Sequence, residues 1–176
     1  MKKFFPLLLI AFVSLFIFSC DDNDNDSFVD NDTYSQMRDV TGSFTNANNY
    51  AFTQGINIQS TDVVLVYRYL GDSWQLIPKM MYLPDVTGMP LNREFQYNFV
   101  FDSQNVQISV DDENFSLATG LTSAEANQYL NNQRFRIVLV PASPAKGGAT
   151  VDYNDYNAVI KYYNLDESKV ITTKVN

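Results

Sequence analysis

From Gln36 to Val140 the apolar positions alternate with polar ones, and no 3.6-residue period is sustained over this stretch. Tyr50, Phe52, Ile56 and Ile58 fall on one face of an extended chain, interrupted by Gln54. Val63-Val64-Leu65-Val66-Tyr67 is apolar on both faces and predicts a central strand covered on both sides. Trp74 and Leu76, ending at Pro78, form its hairpin partner across Gly71-Asp72-Ser73. Phe95, Tyr97, Phe99 and Phe101 alternate with Gln96, Asn98 and then Asp102, a half-buried strand that Asp102 to Asn105 turns back into Val106, Ile108 and Val110. Phe135, Ile137 and Leu139 make the last long strand, which Pro141 ends because it has no N–H for the ladder.

About seven strands at short spacing, with turns at Gly71, Gly88, Ser103 and Asp111-Asp112, predict a mainly β chain folded as an antiparallel β-sandwich. An immunoglobulin-like topology is one arrangement of such strands, but with one cysteine the disulfide of true immunoglobulin domains cannot form. Two helices interrupt the pattern. Thr122-Ser123-Ala124-Glu125 is a capping box, with Leu121 placed to staple against Ala126, and opens a short helix through Leu130. Tyr153, Tyr156, Val159, Ile160 and Tyr163 then recur at helical spacing behind Asp152 as N-cap. This C-terminal amphipathic helix is expected on one end or edge of the sandwich, reached through a linker over Pro141 to Gly148.

The first residues read differently. Met1-Lys2-Lys3 is basic, Phe4 to Phe18 is an apolar run of about 15 residues, and Ser19-Cys20 closes it. The run is shorter than the ~20 residues of a membrane span and predicts a secretory signal over residues 1–19. Ile17-Phe18-Ser19-Cys20 resembles the lipobox of bacterial lipoproteins, with Phe18 where a smaller residue is usual. The resemblance implies cleavage before Cys20, acylation of its thiol, and a membrane attachment through two or more acyl chains. It makes the lipid on Cys20 the one covalent group expected, with no cofactor besides.

Residues 20–35 then form an acid-rich tether, and residues 36–176 a single domain. Counting Asp22 as position one, Asp24, Asp26 and Asp30 fall at positions three, five and nine of a calcium loop. Ser27 replaces the turn glycine and Thr33 the bidentate glutamate, so a solvated, self-repelling tether is expected, with a metal loop through Asp22, Asp24, Asp26 and Asp30 as the alternative. Acids directly after the lipidated cysteine resemble the surface-export signal of Bacteroidota lipoproteins. In enterobacteria an aspartate at the position of Asp21 resembles an inner-membrane retention signal instead. The Asn-rich acidic run favours the first, and places the protein on the outer membrane facing outward, with a periplasm-facing site as the alternative. The strands Asp62 to Tyr67, Tyr97-Asn98-Phe99 and Arg134 to Pro141 are also similar to those of small flavobacterial lipoproteins. That resemblance spans residues 36–165 and implies a compartment, with no activity attached.

Composition removes most catalytic chemistry. There is no histidine, hence no imidazole base, and a single cysteine. Lys and Arg total 12 against 20 Asp and Glu, a formal charge of −8, with no basic stripe for nucleic acid. Asp111-Asp112-Glu113 is the acidic cluster of the body, and a turn accounts for it. Trp74, with Tyr67, Tyr69 and Tyr82 expected nearby, could stack on a glycan or a protein ligand, or fill the core. The reading is an envelope lipoprotein acting as a non-catalytic surface or binding module. An envelope hydrolase using carboxylates, or a structural subunit of an envelope assembly, are the alternatives.

Overall fold

The computed structural model describes residues 35–58, 62–112, 114–140 and 150–175. The signal, Cys20, Asp22, Asp24, Asp26, Asp30, Glu113 and the Pro141 to Gly148 linker lie outside these residues. The domain is a β-sandwich with a C-terminal helix. Its strands are β1 (Gln36–Gly42), β2 (Ala51–Gly55), β3 (Val63–Leu70), β4 (Ser73–Leu76), β5 (Lys79–Tyr82), β6 (Glu94–Phe101), β7 (Asn105–Asp112), β8 (Gln133–Val140) and β9 (Ile171–Lys174). The helices are α1 (Ser123–Tyr129) and α2 (Tyr156–Tyr162). One sheet runs β4-β3-β8-β1-β9 and the other β2-β7-β6-β5.

Between the sheets lies an aromatic core in which Phe44, Phe52, Phe95, Tyr97 and Phe135 meet at centroid distances of 5.0 to 6.0 Å. Val66, Ile108 and Ile137 fill the space beside them. The alternation in β2, β6, β7 and β8 follows from this, because every second side chain enters that layer. Gly42 ends β1 where a Cβ would stand 2.6 Å from the Phe52 ring, so no larger residue fits without moving that ring. Gly71, at φ +62, turns β3 into β4 in a two-residue hairpin between Leu70 and Ser73. Asp102 Oδ1 accepts the N–H groups of Gln104 and Asn105, each at 2.7 Å, and so shapes the β6–β7 turn.

β3 is apolar on both faces because both faces are covered. Val64 and Val66 point into the inter-sheet core, while Leu65 and Tyr67 join Met37, Val138 and Val140 in a second layer beneath Tyr156 and Val159 of α2. The helix therefore covers the outer face of the five-stranded sheet, where the sequence predicts an end or edge. The apolar outward residues of β3 and β8 require such a cover.

Four other expectations change. Asp155 caps α2 by accepting the Ala158 N–H at 3.1 Å, whereas Asp152 folds back on Asn154 in the preceding turn. Tyr153 consequently precedes the helix. Asp111 and Asp112 end β7 rather than forming a turn. Phe101 is 45% exposed and Phe99 half-buried, so the buried half of β6 is centred on Phe95 and Tyr97. The capping box forms as expected, with Thr122 Oγ1 accepting from Glu125 N and Glu125 Oε2 accepting from Thr122 N at 2.8 Å.

Candidate functional site

Beyond the edge of α2, the outer face of the five-stranded sheet carries charge instead of hydrocarbon. Register sets Arg136 of β8 between Tyr67 of β3 and Asp39 of β1. Asp39 is 1% exposed and receives Arg136 Nε at 2.6 Å on one oxygen and Arg136 Nη2 at 3.0 Å on the other. Arg134, two residues along the same strand, donates to Asp39 Oδ2 through Nη2 at 2.5 Å and Nε at 3.1 Å. The third Arg136 nitrogen, Nη1, donates to Glu167 Oε1 at 2.5 Å and to the Tyr156 hydroxyl. Tyr156 donates in turn to Glu167 Oε1 at 2.7 Å.

Burial works against the charge of Arg136, but its hydrogen bonds to Asp39 and Tyr156 outweigh that and raise its pKa. The Tyr156 hydroxyl is pushed above its ordinary range, first by burial and then by the Glu167 carboxylate. Both groups therefore keep their protons at neutral pH. The network is a fixed scaffold of paired charges and cannot act as a proton relay at that pH.

On this scaffold stands Trp74, at the start of β4. The Arg136 guanidinium lies 4.4 Å from its ring centroid and that of Arg134 5.2 Å, both within cation–π range. Tyr69 at 4.9 Å and Tyr156 at 5.7 Å hold the indole laterally. The half-buried ring opens on a groove of about 530 Å³ between the β3–β4 turn and the start of α2. Asp72 and Trp74 form one wall, Asn154, Asp155 and Asn157 the other, and Glu167 closes it. Asp155 uses Oδ1 as the helix cap and Glu167 uses Oε1 on Arg136 and Tyr156. Asp72 and Asn157, both exposed, line the groove and make no side-chain hydrogen bond among the described residues.

The four aromatics singled out in the sequence divide. Trp74 and Tyr69 are neighbours at this site. Tyr67 is fully buried beneath α2, where its hydroxyl donates to the Tyr153 carbonyl at 2.8 Å, and it supports the site from below. Tyr82 is 73% exposed on β5, in the other sheet, and does not join the group. Asp39, Arg136, Tyr156 and Glu167 escape the sequence reading. A buried ion pair spread over β1, β8 and the segment after α2 leaves no local spacing, although Asp39 inside a strand of apolar neighbours is a legible oddity.

A second buried ion pair, Arg93 with Glu125, ties the β5–β6 connection to α1. Its two backbone contacts, to Gly120 O at 2.7 Å and Pro84 O at 2.8 Å, show a structural clip with no open face. Among the described residues, no three His, Cys, Asp or Glu side chains converge as for a metal ion, and no helix is long and apolar enough to cross a membrane. Ser143 and Lys146 stand in a Ser-x-x-Lys spacing that the sequence reading leaves out, and both lie outside the described residues. No protein-family model, curated protein or solved structure matches the chain.

Proposed function

We propose that this protein is a lipid-anchored envelope lipoprotein whose sandwich is a non-catalytic binding module, with its ligand groove beside Trp74. One observation carries the binding role: a tryptophan held by Tyr69, Tyr156 and Arg136 opens on a polar groove bordered by Asp72 and Asn157, whose side chains have no hydrogen-bond partner among the described residues. An aromatic pinned in place loses little freedom when a ligand settles on it, and the exposed polar side chains beside it exchange water for ligand hydrogen bonds.

The anchor rests on the sequence Ile17-Phe18-Ser19-Cys20 and the acids that follow it. Mass spectrometry of the mature protein tests it, with a diacylated N-terminal Cys20 as the expected species. Cys20→Ala is expected to abolish both the acyl group and signal cleavage. Protease treatment of intact cells then reads the facing: degradation of the domain supports the outer surface, and full protection of an acylated protein places it in the periplasm.

A further inference from the structure

We infer that the groove beside Trp74 takes a neutral saccharide chain. The inference rests on the binding-module reading and names its ligand class. Three features of the groove select that chemistry. Its apolar surface is confined to two rings, the half-buried Trp74 and the buried Tyr156 tilted 39° to it, so the surface offered to a ligand is the exposed part of the indole rather than an enclosed apolar slot. A sugar ring presents C–H groups on one face and hydroxyls around its edge, and so matches a ring bordered by polar side chains.

The second feature is the balance of donors and acceptors. Asp72 and the free oxygens of Asp155 and Glu167 accept from hydroxyls, while the Asn157 amide both accepts and donates. A hydroxyl does the same, so adjacent hydroxyls can hydrogen-bond a mixed Asp and Asn border.

The third is charge. Neither Lys nor Arg lines the groove, and its acids repel phosphate, sulfate or uronate groups. A cationic ligand is matched less well. Glu167 is already paired with Arg136, and three acids do not converge on one point. About 530 Å³ is a volume for a short stretch of chain.

Trp74 is the sole tryptophan, so its fluorescence reports on the groove alone. The full acylated protein in detergent micelles is titrated with neutral gluco-, manno-, galacto- and xylo-oligosaccharides, with oligogalacturonate and with tetralysine. Calorimetry of the same mixtures runs in parallel. The expected result is saturable binding of at least one neutral oligosaccharide, accompanied by a change in Trp74 emission. Asp72→Ala and Asn157→Ala should each weaken it by about tenfold, a loss of about 1.4 kcal/mol, with melting temperature unchanged. Trp74→Ala, followed by calorimetry, should abolish it.

Binding that survives Asp72→Ala and Asn157→Ala lies elsewhere and overturns the inference. So does silence across the neutral panel, or tighter binding of oligogalacturonate. Tetralysine bound in place of sugars overturns the saccharide class and leaves the binding module standing. The acyl and protease tests above fail or succeed independently of all of these.

Discussion

Glu125 grips Arg93 with both carboxylate oxygens, Nη1 to Oε2 and Nη2 to Oε1, each at 2.8 Å. The same carboxylate caps its own helix through Thr122, so one buried acid fixes both the start of α1 and the β5–β6 connection. The Arg93 hydrogen bonds, with help from Thr122 and against burial, pull its pKa from the ordinary 4.5 down to about 2. A carboxyl lowered by folding stabilises the fold fully above its unfolded value, and that contribution is lost as pH falls through the folded one. Melting temperature is therefore expected to fall from about pH 4.5 toward pH 2. Glu125→Gln strands the Arg93 charge, should lower stability by about 3–5 kcal/mol, and should flatten this part of the pH profile.

Asp39 neutralises two arginines with different exposure: the side chain of Arg134 is 44% exposed and that of Arg136 6%. Removing the shared acid leaves buried Arg136 to the half-exposed Glu167 carboxylate, whereas removing Arg134 leaves Asp39 its Arg136 partner. Asp39→Asn should cost about 3–5 kcal/mol in a denaturant melt, and Arg134→Gln about 0–1 kcal/mol. Equal losses would show that Arg134, not Arg136, carries the network.

Arg68 is 3% exposed and has no carboxylate partner among the described residues. It donates to Gln133 Oε1 at 2.7 and 3.2 Å, lies 4.5 Å from the Tyr97 ring centroid, and leaves Nη1 unsatisfied. Burial lowers its pKa below the ordinary range. Its charge has hydrogen bonds and the Tyr97 and Tyr129 rings but no counter-ion among the described residues, and Arg68→Met should melt within about 1 kcal/mol of the parent or above it. A loss of several kcal/mol would mean the cation–π contact outweighs the missing ion partner.

The alternation in β6 alone makes Phe99 its centre, and the structure moves that centre. Phe95 is fully buried, and Phe99 stacks on the half-exposed Phe101 at 6.2 Å. Phe95→Asp should abolish folding, since an unpaired buried carboxylate costs several kcal/mol of a total of about 5–15 kcal/mol. Phe99→Asp should weaken the fold but leave a cooperative melt by circular dichroism.

Those contrasts mark what is readable in the sequence. Alternation exposes β2, β6, β7 and β8 because each sends every second side chain into one core, and an unbroken apolar run exposes β3, which is covered on both faces. It misses β1, where outward Asp39 is buried by partners on β8, and β9, whose Ile-Thr-Thr-Lys carries little apolar signal. The capping box is local and so legible. Its partner Arg93 is 32 residues away and has no signature of its own. Trp74 and Tyr69 could be paired because the hairpin places them opposite each other. The groove also needs α2 to lie over the sheet face, a packing choice that helix periodicity does not specify.

β9 runs parallel to β1, in register from Arg38 with Ile171 to Thr41 with Lys174, while β8 flanks β1 antiparallel from Gln36 to Gly42. A pull along β1 from Gln36 therefore slides it between two neighbours, and both rows of backbone hydrogen bonds resist in shear. They yield together instead of unzipping one by one. Tension that enters the domain at Gln36 meets this shear-loaded strand first, and lifetime under load is governed by the unfolding rate of the three-strand clamp.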